Sequence, residues 1–320
     1  MSARAVSRFF PRLAWLSLIY TILVVLFGAW VRITGSGAGC GQHWPTCHGQ
    51  VVPRLPSMAT IIEFSHRASS GIYGFVILAL VIAAFRLFPR RHLARTGAVL
   101  ALIFTISEAL VGARLVLQGL VADNDSIARA VWMAIHLINT SLLTGGVALT
   151  CWAGRRPSIK LRESTPGSGR LGWLLVGTLF GLLLVGVTGA VTALGDTLYP
   201  VDPSGALLQS LSADQSSTAH FLQRLRMMHP IFALGMGLFT LVVTQKVADR
   251  RPQGATLWWA RFVAAAVIAQ VLAGVVNILL SAPGWMQIVH LLLANVLWIS
   301  LIFLTLEVVA ETSKQGVEPG

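Results

Sequence analysis

Four histidines stand at matching places in four long apolar stretches: His66, His136, His229 and His290. Each lies within the first two to three turns of its stretch. At a rise of about 1.5 Å per residue, all four fall at one depth. An imidazole inside a bilayer needs a partner, so an intramembrane histidine marks function by default. Any one of them is equally read as a hydrogen-bond partner of a serine or carbonyl on the next helix. Four at one depth, two in each half of the chain, suit another chemistry. Two helices facing each other across a bundle can supply both axial ligands of one haem iron, so four histidines can ligate two haems. Zinc is the competing metal, but it usually takes four converging ligands with Cys or carboxylate among them. Gly71 and Gly74 after His66, and Gly235 and Gly237 after His229, would let a flat macrocycle approach the backbone; close helix packing explains them equally well. His43, His48, His92 and His220 read as surface residues.

The segment ahead of His66 carries the rest of the chemistry. It reads Arg32-Ile-Thr-Gly-Ser-Gly-Ala-Gly-Cys40, then Trp44-Pro-Thr-Cys47-His-Gly49, then Glu63-Phe-Ser-His66-Arg67. Cys40 and Cys47 are either two free thiols or a disulfide, which persists on an oxidising face. Closing so short a loop would constrain the chain by about 2–3 kcal/mol in the entropy model. Cys151, far away at the other end of its span, reads as a packing residue. Glu63 and His66 are three residues apart and share a helical face. A carboxylate beside a candidate haem ligand is the best catalytic candidate in the chain. The alternatives are that Glu63 caps the helix or pairs with Arg67.

These residues must be positioned by membrane-spanning helices. Of 320 residues, 11% are charged and 55% hydrophobic, against about 25% charged in a soluble domain. The net charge of +12 suggests nucleic acid, but the basic residues sit in short clusters between apolar runs rather than over one solvated face. Disorder, a secreted disulfide scaffold and a soluble DNA-binding domain are excluded, and no nucleic-acid partner is expected. Eight stretches are long enough to span, each needing roughly 20 apolar residues: 13–32, 64–86, 96–117, 128–152, 171–193, 222–246, 257–280 and 285–309. They lack period-two alternation, which excludes a transmembrane β-barrel. The first has no clear small-residue cleavage site and does not read as a cleavable signal peptide. Seventeen of the 24 Lys and Arg residues fall on one side. By the positive-inside rule both termini are cytoplasmic, and the histidines lie toward the outer leaflet of a multi-pass plasma-membrane protein in contact with lipid.

A weak repeat divides the chain. Glu108-Ala-Leu-Val-Gly112 in the third span corresponds to Gln270-Val-Leu-Ala-Gly274 in the seventh, and Gly28 near the end of the first to Gly186–Gly189 in the fifth. The expected architecture is an all-α polytopic protein whose eight transmembrane helices form two pseudo-symmetric four-helix bundles in one orientation. It comprises a cytoplasmic tail 1–12, a bundle 13–153, a linker 154–170, a bundle 171–310 and a tail 311–320.

The three motifs of the loop, with eight spans and a histidine on each even-numbered one, resemble the heme A synthase family over nearly the whole chain. That resemblance implies oxidation of the C8 methyl group of heme O to a formyl group, giving heme A for terminal oxidase biogenesis. Water would be the oxygen source and electrons would leave through haem b (iron protoporphyrin IX) to an unidentified acceptor. By resemblance His66 and His136 bracket the substrate heme O, His229 and His290 ligate haem b, Glu63 is catalytic, and Cys40 and Cys47 match the family's cysteine pair. Heme O synthase and oxidase assembly factors are the implied partners. Some relatives carry a second cysteine pair between the fifth and sixth spans; this chain has none there. Arg32, Arg67, Arg129, Arg224 and Arg226 are candidate propionate contacts, with interfacial anchoring as the alternative. Glu108 reads as a proton-relay group or a neutral carboxyl hydrogen-bonded between helices. Two other functions stand beside it: a di-haem membrane cytochrome b for electron transfer, which needs the same four histidines but not Glu63, and a transporter or haem-handling assembly scaffold, which the parallel repeat alone permits.

Overall fold

A computed structural model of the chain describes residues 3–156, 160–161, 168–201, 214 and 216–311. Most of the expected linker, the tail residues from 312 onward with Lys314, and most of the segment after Val201 lie outside the described residues. The helices are α1 (Ala3–Ile33), α2 (Met58–Leu87), α3 (Leu93–Leu117), α4 (Ile127–Ala153), α5 (Ser168–Leu198), α6 (Phe221–Arg226), α7 (Met228–Arg250), α8 (Gly254–Leu279) and α9 (Gly284–Val309). A two-residue antiparallel pairing joins Lys160–Leu161 to Ala310–Glu311. Helices α6 and α7 together form one span, Phe221–Arg250, and among the described residues eight spans are long and apolar enough to cross a membrane. The chain is an all-helical, multi-pass membrane protein.

Polar caps decide where the helices start. Ser57 accepts from the Thr60 amide, so α2 begins before the apolar run does and takes Glu63 inside its second turn. Ser126 does the same for α4 through the Arg129 amide. His92, expected at the surface, is buried instead. Its Nδ1 accepts from Ala94 N at the start of α3, its Nε2 lies 2.9 Å from the Arg156 carbonyl, and its ring stacks on Phe88. A helix start has orphan amides to satisfy, and an imidazole can serve them.

In the first half α1 packs on α2, α2 on α3, α3 on α4 and α4 on α1; in the second α5 packs on α7, α7 on α8, α8 on α9 and α9 on α5. Contacts of α4 with α5 and α9, and of α1 with α9, join the two rings. Lipid tails are as apolar as leucine, so close packing, not escape from water, must hold such helices together. At α3–α4 it does: a Cβ on Gly97 would lie 2.6 Å from Thr150 Oγ1 and 2.8 Å from the Gly146 carbonyl. Overpacking of that kind costs about 1–3 kcal/mol. Outward-facing Leu16, Phe75, Leu110, Trp173 and Ile231 are more than half exposed within the chain, as a lipid-facing surface requires.

The two larger core clusters lie at one end, and a small one of Ala130, Leu194 and Leu222 lies at the other. Phe10, Ala14, Leu18, Ile77, Leu80, Ala98, Val147 and Cys151 form the larger cluster of the first half, and Leu171, Leu175, Val243, Val247, Val263, Leu301 and Leu304 that of the second. Both larger clusters lie at the end where the odd spans begin and the even spans finish. Cys151 is a free thiol in this core, as expected of a packing residue. The four histidines occupy the other end.

Candidate functional site

His66, His136, His229 and His290 lie six to nine residues into the second, fourth, sixth and eighth spans. That is about 9–14 Å along each helix, above the packed cores. In the second half the two histidines face each other, with ring centroids 6.4 Å apart and planes at 88°. Two imidazoles bound at about 2 Å from one shared metal ion would have centroids about 6 Å apart. In the first half His66 lies on α2 and His136 on α4, on the two even-numbered spans of that ring.

Three of the four rings rest on a glycine of the adjacent helix. A Cβ on Gly28 would come 3.2 Å from His66, one on Gly189 2.9 Å from His229, and one on Gly274 3.2 Å from His290. The same contact therefore recurs in both halves, and Gly189 rather than Gly186 corresponds to Gly28. By contrast Gly71, Gly74 and Gly235 face open space, and Gly237 packs on Val267 and Val271 of α8. The Nδ1 atoms of His66 and His290 are buried without a hydrogen-bond partner. That of His136 has the Glu108 carboxylate 3.2 Å away, outside hydrogen-bond alignment, while His229 Nδ1 lies 3.1 Å from Thr188 Oγ1. Buried polar atoms are rarely left unpartnered. Imidazoles stacked on small residues, in pairs, fit the axial positions of haem. Among the described residues no three His, Cys, Asp or Glu side chains converge as a metal site, so the pairs do not form the usual four-ligand zinc set.

The histidines differ in their neighbours on the third and seventh spans. Glu108 on α3 faces His136. Its carboxylate also accepts from Thr140 Oγ1 and Asn139 Nδ2, and Asn139 is held in turn by the Phe104 carbonyl at 2.9 Å. Gln270, which stands in place of Glu108 in the repeat, approaches the other ring nitrogen: its Nε2 lies 3.2 Å from His290 Nε2. Asn139 and Thr140 are ordinary polar residues in the sequence, but their positions three and four residues after His136 put them on its helical face.

Cys40 and Cys47 form a disulfide, and the loop it closes is tied to α2 through Glu63. Glu63 is buried; one oxygen accepts from the Cys40 amide at 2.8 Å and the other from Arg67 Nε at 3.1 Å and from Arg67 Nη2. Arg67 also donates to the carbonyls of His43 and Thr46, and Thr60 Oγ1 to that of Gly39. Of the alternatives for Glu63, pairing with Arg67 is realised, and Ser57 does the capping.

The remaining candidate arginines are engaged with protein atoms. Arg32 donates to the Ala193 carbonyl at 2.6 Å, to Gln287 Oε1 at 2.9 Å and to Thr197 Oγ1, bridging α1 to α5 and α9. Arg129 is buried and donates to the carbonyls of Ala122 and Asn124. Arg224 donates to those of Ser217 and Ala219. Arg226 lies 3.0 Å from Asp196 and 3.4 Å from Asp214. His220 caps α6 and stacks on Tyr199, whose hydroxyl donates to Asp125 of the first half at 2.5 Å.

The profile of the COX15-CtaA family, described as cytochrome oxidase assembly proteins, matches residues 11–302. The chain belongs to this family. The match takes in the disulfide loop, Glu63, Glu108 and all four histidines. A Thermus thermophilus protein named protoheme IX farnesyltransferase is 48% identical over 304 residues, covering 94% of this chain and 49% of that protein. The chain thus spans about half the length of that relative. Proteins named heme A synthase are similar over shorter stretches. One from Exiguobacterium sibiricum is 38% identical over 169 residues, 53% of this chain and 54% of its own length. One from Bacillus cereus is 41% identical over 112 residues, 35% and 36% of the two chains.

Proposed function

We propose that this chain is a heme A synthase, oxidising the C8 methyl group of heme O to a formyl group for oxidase biogenesis. The observation that carries the reading is the set of four histidines at one depth, paired by bundle and three of them stacked on glycines, within a family of oxidase assembly proteins. His66 and His136 would hold the substrate, and His229 and His290 haem b. Bound haem supplies the one-electron redox chemistry that side chains lack. The overall change takes up one water and releases four electrons and four protons; the electrons go to an external acceptor.

The protein's own contribution is positioning and proton handling. Glycines 28, 189 and 274 set the histidine rings against the neighbouring backbone, and the packed cores at the opposite end fix the helices that carry them. Glu63, held by Arg67 and the Cys40 amide, is the carboxylate we assign to accept a proton as water attacks the oxidised methyl carbon. The histidine end faces outward and both termini are cytoplasmic, as the distribution of basic residues supports. Heme O synthase would supply the substrate and oxidase assembly factors would take the product. The farnesyl transfer named for the Thermus relative we assign to the half of that protein outside the match.

One observation favours a second reading, a di-haem cytochrome b that modifies no haem: both oxygens of Glu63 are already occupied, which is all a structural residue needs. Cells supplying heme O and expressing Glu63→Gln separate the two. The synthase reading expects normal haem content with heme A formation lost; undiminished heme A formation would remove Glu63 from the chemistry.

A further inference from the structure

The two halves offer their histidines unlike partners. In the second half His290 meets a neutral amide, Gln270, whose Nε2 lies 3.2 Å from His290 Nε2, and its Nδ1 is buried without a partner. In the first half His136 meets a carboxylate, and that carboxylate is anchored. Asn139 and Thr140, three and four residues beyond His136 on α4, both donate to Glu108 across the α3–α4 contact, and Asn139 is itself fixed by the Phe104 carbonyl. Glu108 Oε1 is left 3.2 Å from His136 Nδ1, so that a small turn of the imidazole brings the two into line.

We propose that Glu108 is a positioning residue for His136, holding the Nδ1–H so that Nε2 is left free to serve as a ligand and making this imidazole a stronger donor than any other of the four. The proposal rests on the assignment of His136 and His290 as haem ligands made above. Its physical basis is general. A histidine ligand donates its other ring N–H to a carboxylate or carbonyl, which sets the tautomer, orients the ring and raises its basicity. A stronger donor stabilises the oxidised iron more than the reduced iron, so it lowers the reduction potential. Thr140 and Asn139 keep Glu108 from turning away, and no comparable clamp surrounds Gln270, whose Oε1 is buried without a hydrogen-bond partner. A haem held by His136 would therefore have the lower reduction potential of the two, and one held by His229 and His290 would be the better electron acceptor. This gives the sequence difference between Glu108 and Gln270 a direction: it separates a site that gives electrons from one that receives them.

Redox titration of the purified, haem-loaded protein tests this, with Glu108→Gln and with Asn139→Ala, which frees the carboxylate to turn away. Glu108→Gln is expected to raise the midpoint of one haem by the equivalent of at least a tenfold change in relative affinity for the oxidised form, about 59 mV for one electron, leaving the other unmoved. Asn139→Ala is expected to raise the same midpoint by less. Haem retention at the first site should fall by about 10–100-fold in Glu108→Ala, as for other partners of metal ligands. Two haems with unmoved midpoints in both variants would overturn the proposal while leaving the synthase reading intact. Should Glu108→Gln fail to load haem, Asn139→Ala decides alone, and an unmoved midpoint there overturns it. A wild-type protein that binds no haem would instead sink the functional reading beneath it.

Discussion

His66 on Gly28 and His229 on Gly189 are held in the same way, yet around them the two halves of the molecule have been built for different work. The first half carries the disulfide loop, with Glu63 and Arg67 stitched to it, and an anchored carboxylate beside its second histidine. Among the described residues the second half has none of these: Gln270 stands where Glu108 would, and the sixth span begins with the short helix α6 capped by His220. The extra charged groups are concentrated in the first half, the half we propose to hold the substrate.

The comparison breaks most sharply at the histidines. His136→Ala should remove the substrate haem and leave haem b bound, whereas His290→Ala should do the reverse; both should abolish heme A formation, as extracted pigments would record. Loss of both haems from either variant would mean that the halves are not separate sites. Next in size is the disulfide, present in the first half. Cys40→Ser should lower stability by about 2 kcal/mol, seen as earlier thermal unfolding, and should reduce heme A formation by loosening the loop that holds Glu63.

The glycine contacts refine the comparison further. Gly189→Ala would bring a methyl group within 2.9 Å of His229, against 3.2 Å at Gly28 and His66. Overpacking costs about 1–3 kcal/mol, and Gly189→Ala should lie higher in that range, with the greater loss of haem from its half. Equal losses would show that the two contacts are interchangeable. The smallest effect is expected between the halves, where the Tyr199 hydroxyl holds the Asp125 carboxyl below its usual range. A depressed carboxylate contributes stability above its unfolded pKa of about 3.9. That contribution is lost as pH falls through the folded value. Tyr199→Phe should flatten a slight acid destabilisation below about pH 4, measured by thermal unfolding across pH.

Much of this arrangement is legible in the chain alone, because a bilayer imposes length and polarity rules on every span. The eight helices, the shared depth of the histidines and the spacing that lets Arg67 reach Glu63 all follow from local sequence. The start of α2 falls earlier than hydropathy places it because a single serine, Ser57, outweighs hydropathy there. What local sequence cannot convey is pairing across helices. Arg32 finds Ala193, Thr197 and Gln287 more than 150 residues away, and His92 finds the Arg156 carbonyl. Arginines read as candidate propionate contacts thus prove to be engaged in loops and in the joint between halves. Trp152 and Arg156 are likewise bound to Glu307 across the opposite end, a contact that no spacing within either half foretells.

The central claim is that one chain holds two haems of different kinds, a substrate and a cofactor, in sites of similar build. Purification from cells supplied with heme O, followed by pigment extraction and mass analysis, tests it most directly. The account predicts haem b together with heme O or heme A, in about equal amounts; haem b alone, or no haem, would contradict it.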